Sequence, residues 1–165
     1  MAAIDEGEAR PEGYQRVERE LQRLGHPRAP RFLDAAVRTS QQAADALGIA
    51  VGQVAKSVIF RRKNDDAAVL VVASGDKRVD EKKVAALVGP IARADAGFVK
   101  ARTGFSIGGV APIALASEAV TLIDRELFRF EEIWAAAGHP NGVFRMSPRQ
   151  LELLTGAPVA EVAQG

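Results

Sequence analysis

Apolar positions along the chain switch between helical spacing and short unbroken runs, and each pattern predicts an element. Val17, Leu21 and Leu24 recur at helical spacing, and Gly25-His26-Pro27 stops that helix. Residues up to about Pro11 carry no such pattern and read as frayed. Residues 27–32 read as an extended connector. Thr39 or Ser40 can cap a helix through Leu47, with Ala43, Ala44 and Leu47 on one side and Gly48 after it. Residues 51–55 read as a short helical turn. Ser57-Val58-Ile59-Phe60 reads as a strand that begins just after Lys56. Lys63-Asn64-Asp65-Asp66 is turn chemistry. The apolar run 67–73 has strand length and should be buried on both faces. The two runs predict a hairpin, ended by Ser74-Gly75-Asp76.

Asp80 can cap a helix to Val88, with Gly89 as its stop and Pro90 as the break. A short helix fits residues 95–102, though Gly97 weakens it. Residues 103–112 are glycine-rich and irregular. Residues 120–123 read as a strand ending in Asp124. Residues 130–137 read as a helix closed by Gly138-His139-Pro140, and residues 142–146 as a strand. The last helix has the fullest signature: Ser147 as cap, Pro148 at the first position, Gln150 completing a capping box, then Gly156 and Pro158. The whole reads as one α+β domain, a core sheet with helices packed around it.

Composition narrows the chemistry. The 165 residues suit one domain that can bury a full core. No run approaches 18 apolar residues, which argues against a membrane span. The charged start, residues 1–20, lacks the apolar stretch of a secretory signal, so a cytoplasmic location is expected. The sequence has no cysteine, which excludes disulfides, a thiol nucleophile and Cys-bound metal. Two histidines, His26 and His139, leave little for a histidine metal site, and no metal or cofactor is expected.

Net charge is +1, but it is unevenly spread. Residues 56–102 hold eleven basic and six acidic side chains, a surplus of five. The remainder holds eleven basic and fifteen acidic ones, a deficit of four. Such a stretch can meet the phosphates of a nucleic-acid end. From charge alone, a solvated face of ordinary lysines is the simpler reading.

Three constellations could carry chemistry. Gly104-Phe105-Ser106-Ile107-Gly108 matches the G-x-S-x-G nucleophile elbow, and Asp124 and His139 follow in triad order. The elbow needs a buried strand before the serine, and residues 99–103 are not one, so a small serine esterase using Ser106 is a minor reading. Gly108-Gly109-Val110-Ala111-Pro112 can turn sharply and offer backbone N–H groups to an anion or oxyanion. A plain Gly/Pro turn would look the same. Lys56 can point an ammonium into a cleft and hold a phosphate or sugar hydroxyl; a lone lysine is more often surface. Phe60, Phe105 and Trp134 read first as core.

The residues 54–60 (VAKSVIF), 73–80 (ASGDKRVD), 101–112 (ARTGFSIGGVAP), 120–124 (VTLID) and 138–148 together resemble the YbaK/prolyl-tRNA-synthetase-associated editing domain family, in its free-standing, ProX-like branch. The resemblance covers residues 35–162. It implies a mixed, barrel-like β-sheet core surrounded by helices, with residues 1–30 an N-terminal extension and helix and 31–165 the deacylase domain. It implies a trans-editing aminoacyl-tRNA deacylase, acting on proline tRNA that carries alanine, cysteine, serine or threonine. It implies no metal and no cofactor. The tRNA acceptor end, and in some cases a synthetase, would be the partners. In the family the ribose 2′-hydroxyl is held to help activate water. By resemblance Lys56, Gly108, Gly109 and Asp124 are the catalytic positions. Ser57, Ala73, Phe105, Ser106, Ile107, Val110, Pro112 and His139 are the substrate-binding candidates. A module that binds tRNA or a synthetase without catalysis is the alternative.

Overall fold

The computed structural model describes residues 9–165; the first eight residues of the stretch expected to fray lie outside the described part. Helix α1 (Glu12–Arg23) buries Tyr14, Val17 and Leu21, and Leu24 sits past its end, 38% exposed. These residues join the main core, so α1 is packed into the domain rather than appended to it. After β1 (Arg31–Phe32), helix α2 (Ser40–Leu47) begins at Thr39. The Thr39 hydroxyl accepts from Gln42 N–H, the Gln42 side chain returns the bond to the cap, and left-handed Gly48 ends the helix.

A 3-10 turn (Val51–Gln53) leads into β2 (Val54–Arg62), the longest strand. It pairs antiparallel with β3 (Ala68–Ser74), whose seven residues are all buried. Helix α3 (Glu81–Val88) is capped by Asp80, which accepts from Lys82 and Lys83 N–H. Strand β4 (Ile91–Arg93) returns to β2, and α4 (Ala96–Thr103) starts at Asp95 and stops at left-handed Gly104. Strand β5 (Ala119–Asp124), a 3-10 turn (Arg125–Arg129), β6 (Ile133–Ala136), β7 (Gly142–Met146), α5 (Pro148–Thr155) and β8 (Val159–Ala160) complete the chain.

The strands form one mixed sheet in the order β1-β7-β6-β2-β3-β5-β8, with β4 on the far end of β2. The β2/β6, β3/β5 and β5/β8 pairs are parallel and the others antiparallel. This is the expected mixed sheet surrounded by helices. The reading of residues 130–137 as a helix is corrected: Ile133–Ala136 is strand β6. Its apolar run is buried between two partners, parallel β2 and antiparallel β7, and pairing overrides the helical look of the alanines. Gly138-His139-Pro140 is thus a β-hairpin connection rather than a helix stop. The expected start of the second strand also moves: Lys56 lies inside β2, opposite Ala73.

Side-chain alternation divides the sheet. One face carries Ala55, Leu70, Val72, Ile123, Ile133 and Phe144 into the main core with α1, α4 and α5. The other carries Val54, Lys56, Val58 and Phe60 of β2. Phe60, Val69, Val71 and Ala73 are covered by Val84 of α3 and by Val162. Val54 is covered by Ala43 and Ala44 of α2. Lys56 falls between the two coverings.

Candidate active site

The half-buried Lys56 side chain leaves β2 in this gap, and its Nζ donates to the Lys77 carbonyl at 2.8 Å. An ammonium has three donors, so two remain for a ligand. Burial pushes its pKa below the ordinary lysine value, while the carboxylates of Asp124 and Asp76 pull it back up and Arg78 adds to the depression. The loop that supplies the Lys77 carbonyl is itself braced. Ser74 Oγ donates to the Gly52 carbonyl at 2.6 Å and accepts from Arg129, and Arg129 grips Asp76 at 2.7 Å. Asp124, 1% exposed, accepts from Ser74 N–H at 3.0 Å and from Glu126 N–H at 2.9 Å. Each oxygen holds a backbone N–H, and Asp124 acts on Lys56 through charge and by fixing the end of β3.

Across the gap, α4 ends and residues 104–112 begin. Gly109 N–H donates to the Ser106 carbonyl at 3.0 Å, closing a tight turn with Gly108 at φ +95° in its third position. That is type II geometry, which needs a glycine there. The Gly109 N–H is consumed by the turn. Among the described residues, the N–H groups of Gly108 and Val110 have no hydrogen-bond partner. Gly109 must be glycine for another reason: a Cβ there would lie 2.8 Å from the backbone of His139. The turn therefore stands on the β6–β7 connection. His139 stiffens that connection, its Nδ1 accepting from Asn141 N–H at 3.0 Å and its ring lying 5.2 Å from that of Phe32. Burial and nearby Arg38 lower the His139 pKa, which suits the acceptor role of its Nδ1.

Between Lys56, the turn and α2 lies a cavity of about 320 Å³, at the small end of ligand sites. Its wall is mostly apolar, with Val54, Val58, Ile107, Val110, Trp134 and Val143 prominent. Arg38 and Lys56 are its charged residues, and no carboxylate or imidazole lines it among the described residues. Ser57 Oγ and Trp134 Nε1, both belonging to lining residues, are buried without a partner there. Nor do three or more His, Asp or Glu gather as a metal site among the described residues.

Of the residues singled out from sequence, Lys56, Ser57, Ile107, Gly108 and Val110 line this cavity. Ala73, Phe105, Pro112, Gly109, Asp124 and His139 do not. Ala73 is buried against α3, and Phe105 is core, 1% exposed, with Arg16 stacked 4.2 Å above its ring. Pro112 is buried and Ser106 exposed on the turn. The triad reading of Ser106, Asp124 and His139 lacks its geometry. A helix rather than a strand precedes the serine, and the Asp124 and His139 acceptors bond to backbone N–H groups. Sequence reading missed Arg38, the Thr39–Ala43 start of α2, and Trp134. The alanines of α2 were legible as a helix side. That they would leave space was not.

Comparison with known proteins places the chain by sequence and fold. A family model for the aminoacyl-tRNA editing domain matches residues 34–154. YwhH of Bacillus subtilis (strain 168), an uncharacterised protein, is 36% identical over 114 residues, 68% of this chain and 72% of YwhH. Proline–tRNA ligase of Thermoanaerobacter sp. (strain X514) is 32% identical over 95 residues, which are 55% of this chain but only 16% of the ligase. A solved structure described as a candidate trans-editing enzyme for prolyl-tRNA synthetase is 36% identical, with a TM-score of 0.88 over 95% of this chain and all of that one.

Proposed function

This chain belongs to the aminoacyl-tRNA editing domain family, and from that premise we propose that it is a free-standing deacylase. It hydrolyses in trans the ester of mischarged tRNA, with proline tRNA carrying a small non-cognate amino acid as the substrate. The observation that carries the reading is the pairing of Lys56, with two uncommitted donors, and the Gly108 turn, with two unpartnered N–H groups, on one small apolar cavity. The ligase similarity supports proline tRNA, and the trans-editing neighbour supports action outside a synthetase.

In this reading Lys56 holds the terminal adenosine by its phosphate or hydroxyls. The aminoacyl group enters the cavity, and the Gly108 and Val110 N–H groups face its carbonyl oxygen. Water adds to the carbonyl carbon and oxygen becomes an oxyanion held by those donors. The bond to the ribose 3′-oxygen then breaks, and that oxygen takes up the proton that water gave up. Among the described residues the cavity wall has no carboxylate or imidazole, and in this reading the proton passes through the substrate's own 2′-hydroxyl. One oxyanion donor is worth about 3–4 kcal/mol of barrier. A cavity of this size serves as a second sieve, since a synthetase gains only about 1–3 kcal/mol of discrimination from one methylene.

In this reading the tRNA acceptor end is the partner, a synthetase is a further candidate, and the location is cytoplasmic. Among the described residues no helix is long and apolar enough to cross a membrane.

The test is hydrolysis of labelled proline tRNA carrying alanine, cysteine, serine, threonine or proline. The expected result is rapid loss of a small amino acid with Pro-tRNA spared. Lys56→Ala should abolish it and Ser106→Ala should retain most of it. Hydrolysis at the spontaneous rate across the panel would refute the reading. Ester hydrolysis that dies with Ser106→Ala would favour the esterase instead.

A further inference from the structure

The basic surplus of residues 56–102 is partly neutralised once the chain folds, with four of its eleven basic side chains within 4.0 Å of an acid. Arg61 pairs with Asp66 at 2.8 Å and Arg62 with Asp65 at 2.8 Å. Lys77 lies 3.7 Å from Glu126, Lys83 reaches Glu161, and Arg102 stacks on Phe98. Lys56, Arg78 and Arg93 have no ion-pair partner within 4.0 Å among the described residues, and all three line one groove of about 370 Å³. This groove shares Lys56 and Val58 with the cavity, so the two adjoin at these residues. Its position follows from the ladder. Arg93 stands opposite Phe60 on β2, four residues from Lys56, or about 13 Å of strand. Arg78 adjoins Lys77, whose carbonyl holds Lys56.

We propose that this groove is the track of the single-stranded 3′ end of the tRNA, with Arg78 and Arg93 as contacts to the phosphates that precede the terminal adenosine. The inference rests on the deacylase reading of the adjoining cavity. The geometry suits the strand end of the substrate: the groove is lined beside β2 from Arg93 to Lys56 and adjoins the cavity at the lysine that, in this reading, holds the last nucleotide. Arg78 and Arg93 are exposed, so their guanidinium groups can reach phosphate oxygens without prior desolvation. Val58, Val79 and Ala94 give the groove an apolar side for base faces. Glu81 also lines it and is the one acid there among the described residues, opposing the strand.

The test compares wild type with the double variant Arg78→Gln/Arg93→Gln on two substrates across a salt series. One is full-length aminoacyl-tRNA; the other is the aminoacyl ester of adenosine, which has no preceding phosphates. For the full substrate KM should rise severalfold with kcat unchanged. The slope of log KM against log salt should fall by about 1.4, the single-strand value for two phosphates. The adenosine ester should be cleaved at the wild-type rate, and Glu81→Gln should lower KM for the full substrate. An unchanged KM and salt slope on a wild-type-active background would overturn the groove alone. Equal losses on both substrates would also overturn it, because the variants would then be acting on the cavity. If wild type cleaves no member of the panel, the deacylase reading has failed. Fluorescence anisotropy with a labelled RNA ending in CCA then decides the groove: binding weakened by the double variant upholds it, and no binding by wild type overturns it.

Discussion

The same face of the sheet is covered twice, and the two coverings differ in what they leave behind. At one end α3 and the C-terminal segment press Val84 and Val162, both fully buried, onto Phe60, Val69, Val71 and Ala73. At the other end α2 offers only Ala43 and Ala44 to Val54, and a cavity of about 320 Å³ remains. Filling with branched side chains gives stability. Covering with alanines holds a helix off the sheet and gives a site. Lys56 stands at the seam, where its depressed pKa reflects partial desolvation that a wholly solvent-exposed lysine would escape.

The largest effect should come from Lys56→Met. It should abolish deacylation as Lys56→Ala does, because the terminal nucleotide loses its anchoring ammonium, yet thermal unfolding should show no loss of stability. A lysine with a lowered folded pKa binds fewer protons folded than unfolded. Its burial therefore opposes folding at neutral pH, and that opposition is relieved as pH rises from the lowered pKa to the ordinary lysine value. A fall in melting temperature would mean the ammonium is structural.

Next in size are two matched enlargements. Ala43→Leu on the open side should fill the cavity, cutting activity about tenfold or more with stability nearly unchanged. Ala73→Leu on the packed side should cost about 1–3 kcal/mol of stability, read by urea unfolding. If both behave alike, the two coverings are not different in kind.

The turn's two glycines should separate in the same way. In Gly109→Ala the Cβ meets the His139 backbone at 2.8 Å, so the turn must lift and stability should fall. In Gly108→Ala the nearest atom is Arg38 Cγ at 3.4 Å, and the cost is the positive φ, about 1 kcal/mol, with activity reduced through the angle of its N–H. Urea unfolding of both variants ranks them.

The smallest effect is on pH dependence. Activity that needs the Lys56 ammonium should fall on the alkaline side, below the ordinary lysine range. Asp124→Asn removes a charge that raises the Lys56 pKa, so that limb should move to lower pH. A pH–rate profile with an unmoved limb would show that Asp124 serves only as a cap.

The legible parts of the fold were those whose signal is local. The cap at Thr39, the Ser147 capping box, Asp80, the αL stops at Gly48 and Gly156, and the apolar run of β3 all appear where their side chains predict. Strands β4 and β8 went unseen because three and two residues carry no period. Strand β6 was misread because Ala135 and Ala136 suit a helix until β2 and β7 are placed beside them. Within the site, Lys56 and Gly108 were found by resemblance and line the cavity. Ala73 and Phe105 were carried along with them and turn out to face other neighbours.

The sequence by itself determined the capped ends of α2, α3 and α5, the β2–β3 hairpin, the absence of thiol chemistry and the membership that a run of short motifs announces. Those depend on backbone bonds within a few residues, or on which atoms are present at all. The tertiary structure decided which face each strand residue meets and which basic side chains find an acid. It also decided that Gly109 is a packing glycine while Gly108 is a turn glycine. Such outcomes depend on residues tens of positions apart arriving within a few ångströms, as Gly109 does on His139 and Lys56 on the Lys77 carbonyl.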